Sequence, residues 1–130
     1  MRILRLPSNP RSVAKIEEFV KGVCQRHRLK AERHGDMLIS LTEAVTNAII
    51  HGNKRDESKE VRIQLSKQPN CIAVKVSDQG LGFDYNNLPD PTSPENKTKC
   101  GGRGVYLMRR LCDQVEYQDN GRTVEMRFKI

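Results

Sequence analysis

The chain has 130 residues, 36% hydrophobic and 30% charged, which is enough to bury one core but not two, so residues 1–130 are read as a single domain. No apolar run approaches the ~18 residues of a membrane span, and the basic opening MRILRLPSNPRS has no apolar stretch of signal-peptide length; the expectation is a cytoplasmic protein without a membrane partner. The net charge of +7 suits nucleic acid, an acidic protein surface or a nucleotide, but with basic residues dispersed from Arg2 to Lys129 and only 5% aromatics no stacking platform emerges, and direct nucleic-acid contact is not expected.

MRILRL offers Met1, Ile3 and part of Leu4 to Leu6 as a short strand before Pro7, suited to a sheet edge. Asn9 is a candidate N-cap with Pro10 at the first helical position, and Val13, Ile16, Val20, Val23 and His27 recur at helical spacing. A second helix is expected from about Arg33 to His51. Leu38, Leu41, Ala44, Val45, Ala48 and Ile49 form its apolar face, and Gly52-Asn53 its stop. After the polar turn KRDESKE the period becomes two: Val61, Ile63 and Leu65, then Ile72, Val74 and Val76 beyond a KQPN turn, predict a hairpin with one wet face. Counting on by two puts Asp78 on the core side, where a carboxylate needs a partner. The stretch from Gln79 to Lys99 has no periodicity and is too long for a simple connector. Helical spacing returns with Val105, Met108, Leu111 and Cys112, followed by strand QVEYQ, a DNG turn and a strand through Val124, Met126, Phe128 and Ile130. These elements predict an α+β two-layer sandwich: a mixed, mostly antiparallel sheet with helices packed on one face.

The four cysteines Cys24, Cys71, Cys100 and Cys112 show no zinc-ligand spacing and are read as reduced thiols, small and buried except Cys100 in its polar loop.

Four features call for a common explanation: Glu43, Asn47 and His51 at four-residue steps; Asp78 before Gly80 and Gly82; Gly101, Gly102 and Gly104 ahead of a helix; and the corner Gly121 to Thr123. Singly, each has a bland reading as a solvated face, a turn or a cap. Together they meet the needs of a nucleoside triphosphate. Glycines opening a helix offer amides to phosphates, with Lys97, Lys99 and Arg103 adding charge. The Asn47 carbonyl suits magnesium, and Glu43, one turn earlier on the same face, suits a group that takes a proton from an attacking hydroxyl. Asp78 can accept from an adenine amine. There is no Walker A sequence, and the glycines do not make a Rossmann fingerprint.

Glu43-x-x-x-Asn47, Asp78-x-Gly80-x-Gly82 and Gly102-x-Gly104-x-x-Leu107 resemble the N, G1 and G2 boxes of the GHKL (Bergerat-fold) ATPases. LTEAVTNAIIHGN, GGRGVYLMRRLCDQVEY and NGRTVEMRF resemble the stand-alone anti-sigma-factor serine/threonine kinases over nearly the whole chain. That resemblance implies an ATP- and magnesium-dependent protein kinase with Glu43 as general base and Asn47 as metal ligand. It implies that Asp78 reads adenine, backed by Thr123 and a water, with Gly80 and Gly82 letting the backbone approach the base. The segment from about 84 to 100 corresponds to an ATP lid. Lys99 and the turn Gly101, Gly102, Arg103, Gly104 and Val105 belong to the nucleotide-binding set, Arg103 either on the terminal phosphate or as surface charge. His51 is expected to brace the site. The implied partners are a sigma factor or analogous regulator and a STAS-like anti-anti-sigma substrate, with the kinase a homodimer. The alternative is a nucleotide-sensing module that sequesters a partner without significant transfer.

Overall fold

The structure, a computed structural model, describes residues 2–80 and 110–130. The expected lid, about 84–100, lies outside them, as do Gly82, Lys99, Cys100, Gly101, Gly102, Arg103, Gly104 and Val105.

Strands β1 (Arg2–Pro7), β2 (Glu60–Lys67), β3 (Cys71–Ser77), β4 (Gln114–Gln118) and β5 (Thr123–Lys129) form one sheet in the order β1-β2-β3-β5-β4. Each of its four described pairings is antiparallel, and β1 is an edge as expected. Helices α1 (Ala14–His27) and α2 (Ala31–Asn47) bury Ile16, Phe19, Val20, Val23, Met37, Leu41, Ala44 and Val45 in a common core with Leu6, Val61, Ile63, Ile72, Val74, Met126 and Phe128. The result is the two-layer α+β sandwich that the alternation predicts.

Local chemistry explains the element ends. Asn9 caps a short 3-10 turn, Pro10–Val13, by accepting the Arg11 amide at 2.9 Å, and α1 continues from it. α1 stops where Arg28 turns left-handed at φ 52°. At the other sheet edge Asp119, Asn120 and Gly121 all have positive φ, which turns β4 tightly into β5.

The wet face of the sheet differs from a simple alternation. Ala73 and Glu125 belong to it by register, yet they are only 4% and 6% exposed. Ala73 lies on the central strand, paired with Ser66 on one side and Arg127 on the other. The Glu125 carboxylate is held by Arg127 at 2.7 Å and Lys75 at 3.6 Å. Of the described cysteines, Cys112 is buried, while Cys24 and Cys71 are only half-buried; Cys71 opens β3 beside the turn, and Cys24 lies at the margin of the buried face of α1.

Candidate functional site

Glu43 and Asn47 lie one turn apart on α2, flanking its buried stripe, and both are half-buried. Ser40, one turn before Glu43, accepts the Cys112 thiol at 3.4 Å, so Cys112 packs against this part of the helix. Neither the Glu43 carboxylate nor the Asn47 amide forms a hydrogen bond with a described residue, which leaves a carboxylate and an amide oxygen available. Among the described residues no group of three His, Cys, Asp or Glu could hold a metal ion. An amide oxygen supplemented by phosphate oxygens and waters is nevertheless a donor set that magnesium accepts.

The α-helix ends at Asn47 and gives way to one π turn, Ala48–Gly52. The Asn53 amide donates to the Ala48 carbonyl at 2.8 Å, five residues back, and the Arg55 amide to Ile49 at 2.8 Å. Such single π turns frequently mark functional sites. His51 is exposed and hydrogen-bonds to no described residue.

The end of this turn meets the end of β3. A Cβ on Gly52 would lie 2.4 Å from Cγ of Asp78, and one on Gly80 would lie 2.0 Å from the Gly52 carbonyl oxygen. Only two residues without side chains let these backbones approach so closely, and they bring Asp78 to the end of the helix that carries Glu43 and Asn47.

Asp78 is firmly set. Its amide donates to the Arg122 carbonyl at 2.9 Å, prolonging the β3–β5 ladder one step past the pair Ser77 and Thr123. Its Oδ1 accepts the Gly80 amide at 2.8 Å, whereas Oδ2 accepts from no described residue. Burial pushes the Asp78 carboxyl above the ordinary carboxylate range and Asp119 adds to this, while the Gly80 amide, Arg122 and Lys59 pull the other way. A half-desolvated carboxylate with one oxygen uncommitted fits a neutral hydrogen-bond donor such as the exocyclic amine of adenine.

Thr123 is held elsewhere. Its hydroxyl lies 3.0 Å from that of Ser77, the residue preceding Asp78, and no described contact joins it to the Asp78 carboxylate. Gly82, Lys99, Gly101, Gly102, Arg103, Gly104 and Val105 lie outside the described residues, so the geometry assembled here is that of Glu43, Asn47, Asp78 and Gly80.

Gly52 and Asn53 were legible only as a helix stop. Asn53 is 1% exposed; its Oδ1 accepts the Gln79 amide at 2.7 Å, and its Nδ2 donates to Ser8 Oγ at 2.7 Å and to the Glu60 carbonyl at 3.1 Å. The trace of this was HGN at the end of the polar stripe, a polar residue where a solvated cap would equally serve.

Residues 6–128 match the family described as histidine kinase-like ATPase domain. The chain is 32% identical to the serine-protein kinase RsbW of Bacillus licheniformis and to that of Bacillus subtilis strain 168, in each case over 95% of this chain and 81% of the relative. It is 29% identical to the serine-protein kinase RsbW of Listeria innocua, over 95% of this chain and 83% of the relative.

Proposed function

The chain belongs to the histidine kinase-like ATPase domain family, alongside the serine-protein kinases RsbW, and from that premise we propose that it is an ATP-dependent serine/threonine kinase of the anti-sigma-factor type. The observation that supports this reading is the junction of Gly52 with Asp78 and Gly80, which sets the Asp78 carboxylate against the turn that follows the helix of Glu43 and Asn47.

In this reading ATP supplies the phosphoryl group, and magnesium, when bound, would offset the charge of the phosphates. Asp78 accepts from the adenine amine through Oδ2, while Gly80 keeps Oδ1 oriented. The Asn47 side-chain oxygen would be the protein's ligand for the metal. Glu43, one turn away, accepts the proton of the substrate hydroxyl as it attacks. The substrate is a serine or threonine of a small STAS-like antagonist, and the same chain sequesters a sigma factor or analogous regulator until the unphosphorylated antagonist displaces it. The kinase acts as a cytoplasmic homodimer, with Lys99 and the 101–105 turn on the phosphates and Thr123 and a water backing Asp78.

Transfer of label from γ-labelled ATP to a STAS-like antagonist tests the proposal. Transfer that disappears in Glu43→Gln supports it. ATP binding with no transfer to the antagonist would reduce the protein to a nucleotide-sensing sequestering module.

A further inference from the structure

Every polar group of the buried Asn53 side chain is engaged, and one of its partners is on the loop that carries Asp78. An asparagine amide offers two donors and a carbonyl oxygen. Both donors are used, on Ser8 Oγ at 2.7 Å and the Glu60 carbonyl at 3.1 Å, and the oxygen accepts the Gln79 amide at 2.7 Å. Ser8 in turn donates to the Lys59 carbonyl at 2.8 Å, and the Gln79 side chain accepts the Glu60 amide at 2.8 Å. Four separate pieces of chain are thereby tied together: the exit of β1, the end of the π turn, the start of β2 and the exit of β3.

Only one of these bonds bears on chemistry. Gln79 directly follows Asp78, and Gly80, the next residue, donates the amide that orients the Asp78 carboxylate. The Gln79 amide is held by Asn53, whose own amide is anchored to Ala48 in the turn that follows Asn47. The bond therefore sets the position of the Asp78 loop relative to the helix end. A binding contact loses its value when its support lets it drift by a fraction of an ångström.

We infer that Asn53 is a positioning residue for nucleobase selection, acting through Gln79 to hold Asp78 where adenine is accepted and guanine is not. The inference rests on the proposed nucleotide site. Its chemistry is that of the base edge: adenine presents an amine donor at the position where guanine presents a carbonyl acceptor. A fixed carboxylate rewards the first and offers the second nothing. A loosened one forfeits the reward for ATP, while GTP, which never had it, loses nothing.

The experiment is titration of the full chain with Mg-ATP and Mg-GTP, together with thermal melts. Asn53→Ala, or Asn53→Ser if the alanine variant does not fold, is expected to raise the Kd for ATP about tenfold or more while the Kd for GTP stays within about twofold. Ser8→Ala removes a different partner of Asn53 and is expected to lower the melting temperature with the ATP/GTP ratio unchanged. Parallel loss of both nucleotides in Asn53→Ala or Asn53→Ser, or a wild-type ratio in that variant, would overturn the inference while leaving the nucleotide site intact. Failure of the wild-type chain to bind ATP would remove the site itself and the inference with it.

Discussion

The carboxylate of Asp78 occupies the space that a side chain on Gly52 would need: a Cβ there would lie 2.4 Å from Cγ and 2.5 Å from Oδ2. Residues 26 positions apart in sequence thus share one volume, and the helix end and the strand end are fitted to each other through it. Neither Gly52 nor Gly80 has a positive φ, so the requirement at both is space rather than backbone conformation.

Gly52→Ala is therefore expected to force Asp78 aside, costing about 1–3 kcal/mol of stability, the usual range for overpacking, and weakening ATP binding at the same time. Gly80→Ala should do more harm. Its Cβ would strike the Gly52 carbonyl oxygen at 2.0 Å, and backbone yields less readily than a side chain. Urea denaturation and calorimetric titration check both effects; a glycine-to-alanine variant with wild-type stability and affinity would contradict the packing described here.

Asp78→Asn separates stability from binding. Burial raises the folded-state pKa of Asp78, so between the ordinary carboxylate value and that raised value the native chain holds more proton than the unfolded chain. The favourable contribution of Asp78 is complete below the unfolded value and is lost as pH rises through the folded one. At neutral pH the ionised group is a burden that asparagine lacks, while the asparagine oxygen can still accept the Gly80 amide. The variant should be at least as stable as wild type at pH 7, with its advantage shrinking towards pH 3, yet should bind ATP much more weakly. Denaturation midpoints across that range, paired with ATP titrations, test both halves.

Asp113 titrates in the opposite sense. The Lys129 amide at 2.7 Å holds its carboxyl below the ordinary range; burial opposes this, and the Arg33 guanidinium at 2.8 Å adds to the lowering. Its stabilisation is present above the unfolded value and is lost as pH falls through the depressed folded value. Asp113→Asn should cost about 0.5–1 kcal/mol at pH 7, with the difference from wild type vanishing in acid. Denaturation curves from pH 7 to pH 2 decide it.

How much of this could be read from the sequence follows from how local each cause is. The β2–β3 hairpin was legible because a half-wet sheet prints its alternation directly, as Val61, Ile63 and Leu65 do. The stop at Gly52-Asn53 was legible because glycine and asparagine are local signals for the end of a helix. The π turn was not, since shifting a hydrogen bond from four residues back to five leaves no mark on composition. Glu125 escaped because its burial comes from Lys75 and Arg127 through strand register. Phe19 and Met37, both buried, sit beside the expected stripes, which marked Val20 and Leu38 instead; the buried stripe is broader than a single ridge. The site divided along the same line: Glu43, Asn47 and Asp78 carry their chemistry in their own side chains, whereas Asn53 acts through partners up to 45 residues away.

Cys112 should be the least reactive of the described thiols. Burial beside Ser40 pushes it up to about 11, so at pH 8 only about one molecule in a thousand presents the thiolate that attacks an alkylating reagent. Modification of the native chain at pH 8, followed by mass spectrometry, should label Cys71 well before Cys112. Ser40→Ala removes the hydroxyl that accepts the thiol proton at 3.4 Å and helps restrain the pKa, so it should leave Cys112 no more reactive than before.

Glu43→Gln tests the chemistry most sharply. Glutamine preserves the size and most of the polarity of the side chain, and Glu43 forms no hydrogen bond or ion pair with a described residue, so folding should be little affected. ATP affinity should also hold, because Glu43 addresses the incoming hydroxyl rather than the nucleotide. Phosphoryl transfer should fall by about 10²- to 10⁴-fold, the usual contribution of a positioned general base. Asn47→Ala should instead weaken the magnesium-dependent part of ATP binding, so excess magnesium should partly restore its transfer but not that of Glu43→Gln. Identical responses of the two variants to magnesium would show that the two residues do not divide the work as proposed.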